Sequence, residues 1–111
     1  MSRPKRIFEA KYRGHFEQLL DMIEAIGDNE GINFTGIMYC TNINSNYCKI
    51  YVEHLKTLGM LVETLYHSIG CRPQRLFSLT DKGKQAYSTI MVMNDLLGRR
   101  ENQKLIRAWA R

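Results

Sequence analysis

The chain has 111 residues, 44% of them hydrophobic, and a formal net charge of +5. This length suits one domain whose core needs neither a metal nor a disulfide to hold it together. No apolar run approaches the ~20 residues of a membrane span, and no apolar segment follows the basic N-terminus as a secretory signal requires. We therefore expect a globular cytoplasmic protein rather than a membrane-spanning, secreted or disordered one.

Positive charge is concentrated towards the two ends of the chain. Residues 1–13 carry five basic side chains against one acidic, residues 14–31 carry only acidic ones, and residues 81–111 carry seven basic against three acidic. Segregated positive charge indicates a polyanionic partner such as nucleic acid. A basic surface that only keeps the protein soluble is the alternative, and charge alone leaves both open.

The cysteines argue against a metal site. Cys40, Cys48 and Cys71 show no CxxC spacing and no nearby histidine pair, so zinc is disfavoured. We expect free thiols, with Cys40 and Cys48 buried in helices as small apolar side chains. A disulfide stays open, because some thermophilic archaea keep disulfides inside the cell. No nucleophile–base pair or phosphate-binding glycine loop is recognisable, so we expect neither an enzyme nor a cofactor or small-molecule substrate.

The first helix is predicted from Gly14 to Gly27, with Gly27 as its C-cap. Apolar residues recur there at helical spacing, while the acidic side chains lie mostly off their stripe. This stripe, expected to face the core, consists of Phe16, Leu19, Leu20, Ile23 and Ile26.

Two further helices joined by a polar turn are predicted next. Residues 34–42 form a short helix with Ile37, Met38 and Cys40 able to face a core. A longer one follows, capped by Asn44 or Ser45 and ended by Gly59. Its apolar positions are Cys48, Tyr51, Val52, Leu55 and Leu58. This arrangement is typical of a helix-turn-helix unit.

A hairpin and a last helix complete the predicted fold. Branched and aromatic residues predict strands over Leu61–His67 and Arg75–Thr80, with Gly70 and Pro73 between them as turn formers. A hairpin directly after a helix-turn-helix is a wing, and Thr80 can cap a helix over 81–111. The predicted class is α+β: a winged helix-turn-helix, three helices plus a β-hairpin wing, with a long C-terminal helix. Its three parts are a basic N-terminal extension over 1–13, the winged domain over 14–80 and a C-terminal dimerisation helix over 81–111.

Several segments together resemble one known family. FTGIMYCTNI at 34–43, LTDKGKQ at 79–85 and IEAI at 23–26, with Tyr51 and Gly59 between them, are similar to the small archaeal winged-helix DNA-binding proteins. Within that group the chain resembles the chromatin-associated type, which dimerises through a long C-terminal helix. The likeness covers roughly residues 13–97. The family more often has a Ser-Tyr pair at 44–45 and a larger aliphatic at position 48, and residues 1–12 have no counterpart in it.

The resemblance and the motif imply a double-stranded DNA partner. The second helix of such a unit enters the major groove with its N-terminal half. Asn and Lys suit base edges there, whereas Ser and Tyr suit phosphates. The residues expected to contact DNA from this helix are Ser45, Asn46, Tyr47 and Lys49. A solvated polar helix face is the alternative.

Two other basic segments are candidates for DNA contact. Arginines on a tight hairpin suit the minor groove or flanking phosphates, and basic arms can follow the backbone. These candidates are Arg72, Gln74 and Arg75 on the wing, and Arg3, Lys5 and Arg6 on the arm. Hairpin solubility and a solubilising tail are the respective alternatives. The three histidines lie in different elements and are expected at the surface rather than as ligands.

The last helix predicts a homodimer, because it carries two apolar stripes at helical spacing. One, with Ala86, Ile90, Met93 and Leu97, serves the core of its own domain. A second stripe needs another surface to cover it, and a symmetric partner supplies one. This predicted dimer interface consists of Tyr87, Met91, Gly98, Leu105 and Trp109. A kink or a helix end at Gly98 is the alternative to a continuous helix.

The function predicted from the sequence is therefore duplex DNA binding by a dimer. Both a transcription regulator and a nucleoid-associated architectural protein satisfy that description. A winged helix used for protein–protein interaction without DNA binding is the alternative class, since fold alone does not fix function.

Overall fold

The computed structural model describes residues 14–98. It contains four helices and a three-stranded antiparallel sheet with strand order β1-β3-β2, which confirms the predicted winged-helix fold of class α+β. The elements in chain order are α1 (His15–Asp28), β1 (Ile32–Asn33), α2 (Phe34–Thr41), α3 (Ser45–Thr57), β2 (Leu61–Tyr66), β3 (Gln74–Leu79) and α4 (Asp81–Leu96).

The core lies where the helices meet one face of the sheet. α1 contributes Met22, Ile23 and Ile26, and α3 contributes one continuous face. The sheet adds the buried residues Leu61, Phe77 and Leu79, and the remaining members are Ile37, Ile43, Cys48, Tyr51, Val52, Leu55 and Ile90. Removing these side chains from water supplies the main favourable term in folding.

Three side-chain caps fix where helices begin. Asn33 Oδ1 accepts a hydrogen bond from the backbone N–H of the third residue of α2 at 2.7 Å, and Asn44 Oδ1 accepts one from the third residue of α3 at 3.0 Å. Thr80 Oγ1 accepts from Gly83 N at 3.2 Å at the start of α4. Such caps satisfy backbone donors that have no partner within the helix. The cap of α3 is thus Asn44 rather than Ser45, and the predicted cap at Thr80 is confirmed.

The predicted hairpin is present, and a third strand joins it. β2 and β3 pair over six residues each, from Leu61 opposite Leu79 to Tyr66 opposite Gln74. β1 pairs with β3 on the other side, placing Ile32 opposite Phe77. No strand is predicted from the sequence at residues 32–33, because two residues are too few to show the alternation that indicates a strand.

The first helix departs from its prediction in two places. Phe16, assigned to the core stripe, is 71% exposed, while the off-stripe Met22 is fully buried. Gly27 is not the C-cap, because α1 continues to Asp28 with Asn29 as its cap. A Cβ at position 27 would overlap the ring of Tyr87 from α4, so this glycine makes room for a neighbouring helix.

Two smaller corrections concern the helix-turn-helix. Cys40, expected in the core, is exposed, and the buried residue at that end of α2 is Thr41. Its hydroxyl donates to Ile37 O at 2.7 Å, which lets a polar side chain be buried. Leu58, also expected on the apolar face, follows the last turn of α3 and is 40% exposed.

The last helix is shorter than the sequence analysis predicts. α4 ends at Leu96, with Leu97 as its C-cap, and Gly98 takes the left-handed conformation at φ 63°. A residue in that conformation commonly terminates a helix. The alternative of a helix end at Gly98 is therefore correct, and the helix does not continue unbroken over 81–111. Leu105 and Trp109 lie outside the described residues.

The start of α4 is bonded to the turn that follows α3. Thr80 donates from its backbone N–H to Met60 O at 3.0 Å and from its hydroxyl to Gly59 O at 2.5 Å. Lys82 Nζ donates to Leu58 O at 2.8 Å. A Cβ at Gly83 would overlap Met60 O. The LTDKGKQ segment is therefore a structural joint that fixes α4 against the base of the hairpin.

Candidate nucleic-acid interface

One face of α3 is buried and the opposite face is open. Ser45, Asn46, Tyr47 and Lys49, the residues predicted for DNA contact, are all exposed at its N-terminal half. Ile50 shares that surface and is 59% exposed, which the sequence analysis did not single out. The exposed N-terminal half of a second helix is the part of a helix-turn-helix that enters the major groove.

An aromatic cluster holds the first turn of α3 against α1. His15 Nδ1 lies 2.5 Å from Tyr51 Oη, and that hydroxyl donates to Gln18 Oε1 at 2.5 Å. The ring of Tyr47 is stacked on Tyr51 with centroids 6.0 Å apart, and it lies 5.5 Å from His15. Tyr47 therefore packs on this cluster while 43% of the residue stays exposed to solvent. No local pattern indicates this contact, since His15 is 36 residues from Tyr51.

A groove separates α3 from the hairpin. It has a volume of about 420 Å³ and an apolar floor formed by Phe34, Val52 and Phe77. Lys49 and Glu53 line it from α3, whereas Glu63 and Arg75 line it from the strands. Lys49 and Arg75, which the sequence analysis placed on separate elements, therefore belong to one surface.

Glu63 holds two basic side chains at this groove. Its carboxylate lies 3.2 Å from Lys56 Nζ and 3.6 Å from Arg75 Nε. The hydrogen bond to Glu63 raises the pKa of Lys56 above its usual value, and the charge of Glu53 at 3.6 Å adds to that effect. A negative charge beside Arg75 partly offsets its attraction for phosphate, although three-quarters of the Arg75 side chain is exposed.

Residues 67–73, which form the tip of the wing, are all exposed to solvent. Cys71 N donates to Ser68 O at 3.0 Å, which closes a turn around Ile69 and Gly70. Gly70 has φ 79°, a conformation that other residues rarely adopt. Ile69 is fully exposed, and Arg72 beside it is exposed too. The segment 64–80 contains no acidic residue.

The predicted DNA-contact residues are thus divided between a shared surface and separate positions. Lys49 and Arg75 line one groove. Ser45, Asn46 and Tyr47 are exposed on the first turn of α3, outside the groove lining. Gln74 is exposed at the start of β3, and Arg72 lies nearer the tip. The arm residues Arg3, Lys5 and Arg6 lie outside the described residues.

The second half of α4 carries an exposed apolar patch made of Val92, Met93, Leu96 and Leu97, the last two 76% and 67% exposed. We call it the α4 patch. Its opposite side packs on α1, where Asn94 is buried with its Nδ2 3.4 Å from Glu24 Oε2. Met93 and Leu97, assigned to the domain's own core, belong to this open side.

Tyr87 and Met91 of the predicted dimer stripe lie elsewhere on α4. The ring of Tyr87 covers Gly27, and its hydroxyl donates to Asp28. Met91 is half-buried. Tyr87 is therefore part of the domain's own packing, which corrects its placement on a surface left free for a partner.

Residues 14–98 hold neither a metal-binding cluster nor a membrane-spanning helix. No group of three or more histidine, cysteine or acidic side chains is placed to hold a metal ion there. None of the helices in that range is long and apolar enough to cross a membrane.

A family profile described as "Winged helix-turn-helix" matches residues 12–98, which is most of the chain. The chain belongs to the winged helix-turn-helix family. No curated protein matches it.

Several solved structures share this winged-helix fold. A protein with unknown function from Listeria innocua is 22% identical with a TM-score of 0.62; the match covers 71% of this chain but only 52% of that one, so the chain spans about half the length of its neighbour. Sso10a-2, a DNA-binding protein from Sulfolobus solfataricus, is 21% identical over 88% of this chain and 93% of its own, with a TM-score of 0.58. Streptococcus pneumoniae FabT, solved in complex with DNA, is 13% identical over 78% of this chain and 59% of its own, with a TM-score of 0.65.

Proposed function

We propose that this winged helix-turn-helix protein binds double-stranded DNA as a homodimer and regulates transcription without catalysing a reaction. The observation that carries this proposal is the groove that Lys49 on the open face of α3 and Arg75 of the wing line together. That surface offers side chains for base edges and side chains for phosphates, which are the two kinds of contact that sequence-specific DNA-binding proteins use. Sso10a-2 and FabT, whose structures are described as DNA-binding and DNA-bound, support the same function.

Different residues of α3 are proposed to contact the bases and the phosphate backbone. Lys49 and Asn46 project from the open face of α3 and suit the edges of guanine and adenine. Ser45 and Tyr47 at its leading end suit phosphates, and the ring of Tyr47 is already packed on Tyr51 in the absence of DNA. Fixed side chains lose less entropy on binding.

The wing and the arm add affinity with little choice of sequence. Arg72, Gln74 and Arg75 are exposed along the hairpin and suit the minor groove or its phosphates. The arm residues Arg3, Lys5 and Arg6 are proposed to follow the DNA backbone.

Dimerisation is proposed to use the α4 patch. Four neighbouring apolar side chains with no cover within residues 14–98 are typical of an interaction site. Pairing the patch with its symmetry mate would bring two recognition helices into one assembly, as in other dimeric helix-turn-helix proteins. We propose that Leu105 and Trp109, which follow α4 in the chain, extend the same interface together with Met91 and Gly98.

Fluorescence anisotropy with a labelled duplex tests DNA binding. Affinity should fall steeply from low to moderate salt, because each phosphate contact releases counterions. Selection from random duplexes then separates a regulator, with a high affinity ratio of best to random site, from an abundant architectural protein of the nucleoid, with a low one. Absence of binding even at low salt would contradict the proposal and favour a protein-interaction module.

Sedimentation analysis tests the dimer. The full chain should sediment as a dimer, and the Leu96→Asp variant should be more monomeric, because a charge in an apolar interface is costly. Gln85→Asp is the matched control, since Gln85 is exposed earlier on α4 and outside the patch. Truncation after Leu97 should also weaken both self-association and DNA binding. A monomeric full chain would contradict this part of the proposal alone.

A further inference from the structure

The wing tip presents an apolar side chain where a DNA-facing hairpin usually presents polar ones. Ile69 is the most exposed of the large hydrophobic residues in the described part of the chain. It stands at the corner of a turn closed by Cys71 N and Ser68 O at 3.0 Å, with Gly70 supplying the positive φ. The turn itself therefore directs this side chain away from the protein.

The hairpin that carries the tip is a continuous ladder of paired strands anchored at its base. Its strands pair without a break over six residues each, roughly 20 Å of ladder at about 3.3 Å per residue. The base of this ladder is buried at Leu61 and Leu79. The tip is thus a projecting end carried by a firmly packed base.

Charge around the tip selects the partner. Arg72 is exposed three residues from Ile69, and no acidic residue lies between 64 and 80. Arg75 follows on β3, where Glu63 from the neighbouring strand lies 3.6 Å from its Nε. A second protein with an apolar pocket would not require this bias, whereas the narrow, strongly negative minor groove of DNA attracts arginine. Since Arg75 shares a groove with Lys49 of α3, a duplex engaged by α3 lies on the side of the molecule that the wing flanks.

We propose that the wing tip kinks DNA, with Ile69 entering the minor groove as a wedge between two base pairs. This inference rests on the proposed DNA binding and adds a second activity to it. Apolar wedges of this kind unstack a base step and bend the duplex by roughly 20–90°. Arg72 holds the adjacent phosphates or groove floor, while Ile69 supplies the deformation.

The test measures how far each variant bends a DNA duplex and how tightly it binds that duplex. A short duplex carries a donor dye and an acceptor dye at its two ends, with 2-aminopurine at TA steps, which unstack most easily. Wild-type protein should shorten the end-to-end distance and raise the 2-aminopurine fluorescence. The Ile69→Ser variant should still bind, with an unchanged salt slope because isoleucine carries no charge, but should leave the duplex straight. The Ile69→Leu variant should retain the bend.

Two controls separate the wedge from other causes. Val62→Ser removes an exposed branched side chain from strand β2, away from the tip, and should bend DNA like the wild type. Arg72→Ala should lower the salt slope by about one. Wild-type protein that binds without bending, an Ile69→Ser variant that bends normally, or an equal loss of bending in Val62→Ser would overturn the wedge. Failure of the wild type to bind DNA at all would overturn the proposed function and the wedge with it.

Discussion

The two ends of the wing hairpin differ in almost every physical respect. At the base, Leu61 and Leu79 are buried, and the adjoining residues Met60 and Thr80 are joined by a backbone hydrogen bond of 3.0 Å. At the tip, Ile69 and its neighbours are exposed, and a backbone hydrogen bond from Cys71 N to Ser68 O closes the turn. Large destabilisation by mutation comes chiefly from buried or crowded positions, whereas surface changes usually cost little. We therefore expect substitutions at the base to lower the stability of the fold, and substitutions at the tip to leave it nearly unchanged.

The groove between α3 and the hairpin lies between these extremes. Its floor is made of core side chains such as Val52 and Phe77, while Lys49 and Arg75 at its edges are exposed. Changes at its edge should therefore affect binding more than folding. The following predictions test the contrast between base and tip, beginning with the largest effect.

Replacing Gly83 should break the base of the hairpin. A methyl group there would overlap Met60 O, a backbone atom that cannot move aside without disturbing the joint. We expect Gly83→Ala to lower the free energy of unfolding by about 2–3 kcal/mol, within the range for overpacking. Urea unfolding followed by circular dichroism measures this. Ser88→Ala, at an exposed position of the same helix, is the control and should change stability by less than about 0.5 kcal/mol. Equal stability of the two variants would show that the joint yields easily.

Replacing Lys49 should change sequence preference. If its ammonium contacts a base edge, Lys49→Ala should reduce discrimination between the selected site and a mismatched one by about 1–3 kcal/mol. Competition binding with both duplexes measures the change, and urea unfolding should be unaffected because Lys49 is exposed. Lys84→Ala on α4 removes the same charge from another exposed position and should leave preference unchanged. Unaltered preference in Lys49→Ala would mean that the recognition face is placed wrongly.

Removing the charge of Glu63 should strengthen DNA binding. Glu63 lies 3.6 Å from Arg75, so Glu63→Gln removes the negative charge beside that guanidinium, while Lys56 keeps Glu53 at 3.6 Å. We expect tighter binding to all sequences by less than about 1 kcal/mol, the usual size of an exposed ion pair. Arg75→Ala should instead weaken all sequences about equally and lower the salt slope by about one. Weaker binding by Glu63→Gln would show that the ion pair positions Arg75 for DNA.

The smallest expected effect on stability comes from alkylating the exposed cysteines. The rate of alkylation should distinguish exposed cysteines from the buried one. Cys71 at the tip is exposed, whereas Cys48 is fully buried. Burial raises the pKa of Cys48 from 9.0 to about 11, and the thiolate is the reactive form. Iodoacetamide at pH 8 should therefore modify Cys71 and the exposed Cys40 quickly, and Cys48 only after unfolding. Modification of Cys71 should change stability by less than about 0.5 kcal/mol. Rapid labelling of Cys48 in the folded protein would contradict its burial.

The raised pKa of Cys48 also fixes the sign of a stability change. The folded state keeps its proton to higher pH than the unfolded state does, so this contribution to stability is present below pH 9 and is lost as pH rises from 9 towards about 11. A Cys48→Ala variant, compared with wild type by urea unfolding over that range, should lack this part of the decline.

Local signals made much of the fold predictable. Apolar residues every three or four positions gave α3 its buried face, and Asn44 and Thr80 could be recognised as caps because a cap depends only on the next few residues. The hairpin followed from branched residues on both sides of Gly70 and Pro73. The open positions Asn46 and Lys49 then followed from the buried ones, since a helix fixes which residues oppose each other.

Local signals do not predict contacts between residues that lie far apart in the chain. Gly27 had the form of a helix terminator, and only the ring of Tyr87, 60 residues later, shows why a glycine stands inside α1. The pairing of Ile32 with Phe77 and the bond from His15 to Tyr51 are similar cases. Periodicity describes one element at a time, so it does not indicate which neighbour a side chain will meet.

The sequence by itself determined the winged-helix class, the helix starts and the open half of α3, because these depend on spacing, capping and turn chemistry within a few residues. Only the tertiary structure decided that α1 and α4 meet at Gly27 and Tyr87, that Lys49 and Arg75 share a groove, and which side of α4 stays open. These features depend on packing between elements far apart in the chain. Packing selects one arrangement from several that the same local patterns permit.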